Sequence, residues 1–337
     1  MKNIISIVGI GFLFGMIELQ AAIPKHSPEF YEAIKPEVRE AQRKGAEAKI
    51  VYKVVDDEGS IVSNVVAKVK WENDYPRKMW YDSFCTDDNG SVEMLEKIGG
   101  RMSCGFHKDG YYSSFDKIDF HWRKGVSPVL ANGKWQPYGE QRLIVLKRKK
   151  NPVDMGASHN LRITIPVTNV WIGMDLEKKM WVKPYGEGAY SDVLIRFNSS
   201  LANKYEVNWA TMELSFTNNP YAGFYVLPKD KYSQMKSAYL VDTNKLFRQN
   251  IVYSIGRTSK EENLLGADEY IVFRTRTKVD EEGNLIQAHY GKIYGQWDIW
   301  SITKAQLIFF NTNPNDINIE DLDASTKVRL KQNGLLK

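Results

Sequence analysis

The chain has 337 residues, 43% of them hydrophobic and 26% charged, and a formal net charge of +5 at pH 7. This is a globular profile that excludes extended disorder and collagen-like repeats, and the length suits two domains that each bury a core. Nine Trp, 18 Tyr and 14 Phe beside many Val and Ile favour half-buried pleated surfaces, so the predicted class is mainly β.

Residues 1–22 read as a secretory signal peptide. Lys2 supplies the positive start, Ile4 to Ile17 an almost uncharged apolar stretch, and Glu18-Leu19-Gln20-Ala21-Ala22 a polar end with small residues. Cleavage after Ala21 or Ala22 is expected. A retained anchor is the alternative, although the run falls short of the roughly 20 apolar residues of a membrane span. No later segment is apolar enough, so no transmembrane segment is expected after cleavage. Export to the periplasm, the cell surface or the medium follows. Residues 1–22 hold one Lys and one Glu, so the mature chain keeps its net charge. Basic residues are dispersed apart from Lys147-Arg148-Lys149-Lys150, which reads as a strand end or linker. Nucleic-acid binding needs a denser basic face, and no nucleic-acid partner is expected.

Residues 23–47 read as a short helical arm. Ser27-Pro28-Glu29 has the order of an N-cap, a first-turn proline and a first-turn acid, and Pro36-Glu37 restarts the helix. From Lys49 short β-branched and aromatic runs take over, separated by turn signals. Asp56-Asp57-Glu58-Gly59 predicts one hairpin and Asp87-Asp88-Asn89-Gly90 a second, with the glycine free to take positive φ. Runs over 101–107, 111–122 and 141–149 bring the total to about seven strands in roughly a hundred residues, the spacing of an immunoglobulin-like sandwich.

Three pieces of residues 48–150 resemble the carboxypeptidase regulatory-like and CnaB-type group of transthyretin-like sandwiches. Val54-Val55-Asp56-Asp57-Glu58-Gly59 followed by Val65 to Val69 is similar to that group's first hairpin. Thr86-Asp87-Asp88-Asn89-Gly90 is similar to its central turn, and Lys108-Asp109-Gly110-Tyr111 to the motif before its late strands. Ile61 and Asn64 depart from the proline and glycine common there. The resemblance implies a non-catalytic scaffold, and fold alone does not fix function. Some relatives join their first and last strands by a Lys to Asn or Asp isopeptide bond. Gln141 to Lys149 holds neither Asn nor Asp, so that cross-link is not expected.

Asn151-Pro152-Val153-Asp154-Met155-Gly156 marks the domain boundary. Residues 151–337 continue in strands, with a few helical turns predicted between Lys229 and Gln249, and resemble no characterised family. Asp280-Glu281-Glu282-Gly283 echoes the first acidic hairpin without establishing a repeat.

The motifs of serine hydrolases, phosphate-binding loops and zinc proteases are absent, and the five histidines show no paired ligand spacing. No metal or cofactor is called for. Asp87-Asp88-Asn89-Gly90 lacks the late bidentate acid of a calcium loop and reads as a plain turn. Asn315, Asp316, Asn318, Asp321 and Asp323 read as a polar C-terminal loop.

Aromatics beside glycine-bearing loops point to ligand binding, because rings stack on apolar ligand faces while loops carry polar contacts. Trp171, Trp181 and Tyr185 flank Gly186 and Gly188, and Trp297 and Trp300 follow Gly295. Core packing is the competing role for each. Cys85 and Cys104, the only cysteines, sit in neighbouring strands of the same predicted sandwich of an exported module, which predicts a disulfide. The preferred reading is a non-catalytic binding or structural envelope component whose partner is a glycan or an envelope protein. The alternatives are a secreted carbohydrate- or peptide-acting hydrolase with its site in 151–337, and an accessory subunit presenting the first sandwich to a larger complex.

Overall fold

The computed structural model describes residues 35–321, apart from 75, 123–125, 156–157, 162–164, 204–205, 217–219, 257–267 and 295–305. The predicted signal peptide, the Ser27 helix start, Trp297 and Trp300 lie outside the described residues.

The helix predicted to restart at Pro36 is α1 (Pro36–Lys44). Pro36 needs no amide partner in the first turn, Glu37 and the terminal Arg43 and Lys44 suit the helix dipole, and Gly45 ends it at φ 80°. Val38 and Ala41, three residues apart on one face, are buried in the first core.

Nine strands follow: β1 (Ala46–Asp56), β2 (Val66–Asp74), β3 (Arg77–Cys85), β4 (Ser91–Ile98), β5 (Arg101–His107), β6 (Ser114–Asp119), β7 (Leu130–Ala131), β8 (Lys134–Trp135) and β9 (Glu140–Leu146). One sheet runs β4-β1-β8-β7, with β9 also paired to β1, and the other β3-β2-β5-β6. The first and last long strands, β1 and β9, are parallel from Ile50–Glu140 to Asp56–Leu146. Alternation sets the faces: Ala46, Ala48, Ile50, Tyr52 and Val54 point inward from β1 and meet Ala67, Val69, Trp71, Met102 and Phe106 from the other sheet. Tyr52 and Phe106 touch edge to face across the layer, ring centroids 4.9 Å apart.

Ten strands form the second unit: β10 (Ser158–Leu161), β11 (Ile172–Asp175), β12 (Met180–Trp181), β13 (Val193–Asn203), β14 (Glu206–Ser215), β15 (Gly223–Pro228), β16 (Asn250–Gly256), β17 (Glu269–Val279), β18 (Leu285–Tyr294) and β19 (Gln306–Phe310). They make two five-stranded sheets, β12-β11-β13-β14-β16 and β10-β19-β18-β17-β15. Ile172, Ile195, Met212 and Leu214 of one sheet and Phe224, Phe273, Ile293 and Phe310 of the other fill the space between them. The far face of the second sheet, with Tyr225, Tyr270, Val272 and Tyr290, is covered by Met155, Val241 and Ile319.

The helical turns predicted between Lys229 and Gln249 are not formed. Backbone groups there bond outward instead: Gln234 N–H to Ser113 O at 2.7 Å and Val241 N–H to Ile317 O at 2.9 Å. The apolar anchors Met235, Val241 and Phe247 recur every six residues, which suits an extended strap over a sheet and not a helix face.

The acidic hairpin loops share one geometry. In each, the first Asp accepts through Oδ1 the N–H groups two and four residues on: Asp56 from Glu58 and Ser60, Asp87 from Asn89 and Ser91, Asp280 from Glu282 and Asn284. Gly59, Gly90 and Gly283 occupy positive φ in the same position of the three loops. The carboxylate is thereby used as a turn former.

A polar seam joins the two sandwiches. The buried Glu320 carboxylate accepts Lys150 N–H (2.8 Å), Asn151 N–H (2.7 Å) and Tyr112 O–H (3.1 Å). Lys147 Nζ donates to Met235 O and Ser237 O, Arg148 pairs with buried Asp56 at 2.7 Å, and Lys150 pairs with Asp57 at 3.5 Å. The basic run is thus a linker whose charges are spent on neighbours.

The predicted disulfide is a correction: Cys85 and Cys104 are free thiols, one exposed and one buried. Strand β2 lies between them, with Val66 opposite Cys85 and Val69 opposite Cys104. An intervening strand separates the backbones by about 10 Å and the odd offset turns the side chains to opposite faces, beyond the roughly 7 Å reach of a bridge.

Candidate functional site

The aromatic residues singled out in the second half separate into different roles. Trp181 is 8% exposed and belongs to the core between the two sheets. Trp171 and Tyr185 are each 39% exposed. The glycines near Trp181 are there for close packing: a Cβ on Gly186 would meet Trp181 O at 2.4 Å, and one on Gly188 would meet Asp175 Cβ at 2.9 Å. The loop over residues 182–191 is therefore pinned to the sheet.

Its anchor is a buried acid cluster. Asp175 Oδ2 accepts Ala189 N–H (2.9 Å) and Tyr190 N–H (3.2 Å), while Oδ1 accepts Glu177 N–H, Lys178 N–H and Arg276 Nη2. Asp192 accepts Arg276 Nε (2.9 Å) and Thr275 Oγ1 (3.1 Å) through Oδ1, and Arg276 Nη2 (3.0 Å) and Leu176 N–H (2.9 Å) through Oδ2. Burial pushes the Asp192 carboxyl above its ordinary range against the pull of the guanidinium. Arg276 sits at φ 48° where the β17–β18 register shifts, its guanidinium 4.2 Å from the Tyr190 ring centre. Every carboxylate oxygen of Asp175 and Asp192 is occupied by two or three donors, so the pair has no free lone pair for acid–base work. The cluster positions the loop.

The open face is the outer surface of β12-β11-β13-β14-β16. Because Ala210, Met212 and Leu214 point into the core, their alternates Trp209, Thr211 and Glu213 point out. Register then lines up three rows. Arg196, Glu213 and Val252 lie side by side, next Asn198, Thr211 and Ser254, next Ser200, Trp209 and Gly256. In the first row Arg196 Nε and Nη2 grip both oxygens of Glu213, at 2.9 and 2.7 Å, and its guanidinium stacks 4.7 Å from the Trp171 ring centre. The Glu213 carboxylate also raises the Arg196 pKa further. In the middle row Thr211 Oγ1 and Ser254 Oγ lie 3.5 Å apart. Trp209, 42% exposed, closes the far end. Four residues along the strand (about 13 Å) and two strand spacings (about 10 Å) place Trp171 and Trp209 about 16 Å apart, with hydroxyl and amide groups between them.

The sequence search named Trp171 but missed Trp209, Arg196 and the Asn198–Thr211–Ser254 row. The available signal was the period-2 alternation from Trp209 to Leu214, which separates an outward set from a core set. Among the described residues no group of three or more His, Cys, Asp or Glu is placed to hold a metal ion. Among them, too, no helix is long and apolar enough to cross a membrane.

Fold and surface define a mainly β protein, an immunoglobulin-like sandwich followed by a second β-rich unit. No protein-family model matches the chain, and no curated protein matches it in sequence. Among solved structures it is similar to 3-chlorocatechol 1,2-dioxygenase from Rhodococcus opacus 1CP (16% identity, TM-score 0.24, covering 32% of this chain and 61% of that one). Chlorocatechol 1,2-dioxygenase from Pseudomonas putida (11%, 0.23, 31% and 61%) and catechol 1,2-dioxygenase from Acinetobacter sp. ADP1 (14%, 0.23, 32% and 54%) are alike to the same degree. The chain thus spans between half and two thirds of those structures.

Proposed function

We propose that this is an exported, non-catalytic binding component of the cell envelope that takes a glycan across the outer face of β12-β11-β13-β14-β16. The observation that carries the reading is a row of hydroxyl and amide side chains, Asn198, Thr211 and Ser254, between exposed Trp171 and Trp209. Indole faces stack on the apolar faces of sugar rings, and hydroxyl and amide groups both donate and accept toward sugar hydroxyls. An open face of this length suits a linear oligomer.

Export rests on the Lys2 to Ala22 segment, and the hairpins at Asp56 and Asp87 with parallel β1 and β9 support a carboxypeptidase regulatory-like or CnaB-type scaffold for residues 48–150. The buried acids Asp175 and Asp192 do not serve the hydrolase alternative, since both are consumed in holding Arg276 and a loop. The test is a glycan array probed with the mature chain beside a broad hydrolase screen. Retention of linear oligosaccharides that weakens with Trp209→Ala supports the proposal. Turnover abolished by a single carboxylate substitution overturns it.

A further inference from the structure

We infer that β3 is a self-association edge, on which a second copy of this chain pairs antiparallel about a two-fold axis at Trp80. Among the described residues β3 pairs with β2 alone, and the other side of this nine-residue strand is open. Its register with β2 is unbroken from Val66–Cys85 to Asp74–Arg77. Open edges are ordinarily blunted by bulges, internal prolines, short length or charge. Here the strand is long, regular and free of proline; Tyr81 (70% exposed) and Met79 (44%) stand out on one face, and the exposed charges Lys78 and Asp82 on the other are of opposite sign, so they can complement a second copy and need not repel it.

The charges decide the register. On the face shared with Trp71 and Val69, β3 carries Lys78, Trp80, Asp82 and Phe84. Lys78 and Asp82 are of opposite sign and stand symmetrically about Trp80. A two-fold axis perpendicular to the sheet keeps each face on its own side, so the pairing must centre on a residue. Centred on Trp80, it sets Lys78 of each copy opposite Asp82 of the other, with Met79 against Tyr81 on the opposite face. Centred on Tyr81 it brings no opposite charges together, and centred on Lys78 or Asp82 it opposes like charges. Asp82 is held in place by the Trp71 indole N–H at 2.6 Å, and the Lys78 ammonium lies 5.7 Å from its own Trp80 ring centre. The closed two-fold pairing joins two four-stranded sheets into one.

Sedimentation of the mature chain across a concentration series tests this, with Lys78→Glu, Asp82→Lys and the double swap. The wild type is expected to show a monomer–dimer equilibrium. Each reversal turns two opposite-charge cross-strand pairs into like-charge pairs, weakening the dimer roughly tenfold or more, and the swap restores it. Among the described residues Lys78 has only its ring contact to lose, so Lys78→Glu remains decisive if loss of the Trp71 bond unfolds Asp82→Lys. A monomer at every concentration, or a dimer indifferent to Lys78→Glu, overturns the inference.

Discussion

The ammonium of Lys292, wholly buried in β18, meets the carboxylate of Asp321 at 2.5 Å across the edge of the seam between the sandwiches. Its other hydrogens go to Ser237 Oγ (2.8 Å) and Ile319 O (2.7 Å), so all three donors are satisfied. Burial pulls its pKa down while Asp321 holds it up. Removing one partner of such a pair leaves an uncompensated charge, whereas replacing both partners by apolar groups of like volume need not cost stability. Asp321→Ala is therefore expected to destabilise the protein by about 3–5 kcal/mol and the double replacement Asp321→Leu with Lys292→Met by far less. Urea unfolding of the two variants checks this, and equal losses would count against the account.

Asp119 predicts a specific acid response. Its carboxylate accepts Arg101 Nε at 2.7 Å and His121 N–H at 3.1 Å, with His121 Nδ1 at 3.3 Å. Burial raises its pKa, but the His121 and Arg101 contacts outweigh burial and leave it below the ordinary 3.8. A carboxyl depressed in the folded state contributes stability above its unfolded pKa and loses it as pH falls through the folded value. Asp119→Asn should thus be less stable than wild type at neutral pH, by about 1–3 kcal/mol, with the gap closing below about pH 4. Unfolding curves through that range measure it; a gap that persists unchanged into strong acid would show that the carboxylate charge is not its source.

The cysteines should differ in reactivity. Cys104 is buried and its thiol is pushed far up, first by burial and then by the nearby Asp116 charge, while Cys85 is exposed on the β3 edge. A thiol reagent is expected to modify one group rapidly in the folded protein and both in denaturant. Loss of thermal stability on adding a reductant would instead reveal a bridge.

These cases mark where sequence reading stops. Strands were legible because alternation is local: the inward set Ile50, Tyr52, Val54 can be seen in five consecutive residues. The Asp-to-Gly loops were legible for the same reason. Sheet order is not local. Cys85 in β3 and Cys104 in β5 are parted in the chain by β4, yet it is β2, which precedes both, that separates them in the sheet. Glycine near Trp181 read as loop freedom, whereas Gly186 and Gly188 mark close backbone approach, which only the partner atoms reveal. Arg196 and Glu213, 17 residues apart, became a pair only once the β13–β14 register was fixed.

The sharpest contrast is between Trp209 and Trp181, two indoles of the same unit with opposite surroundings. Trp209 stands on the open face, so Trp209→Ala should change stability by no more than about 0.5 kcal/mol while weakening oligosaccharide retention. Trp181 packs against the core, so Trp181→Ala should cost about 3–5 kcal/mol and leave the affinity of the folded fraction intact. Glu213→Gln provides a third reading. It weakens the grip on Arg196 and so loosens the guanidinium stacked on Trp171, without removing either ring. Affinity is expected to fall by less than in Trp171→Ala, and raised salt should narrow the difference because the Arg196–Glu213 pair is solvent-facing. Titration of a retained oligosaccharide into the four variants, each alongside its melting curve, separates binding from folding. If Trp209→Ala lost stability rather than affinity, or Trp181→Ala lost affinity at full stability, the assignment of face and core would be reversed.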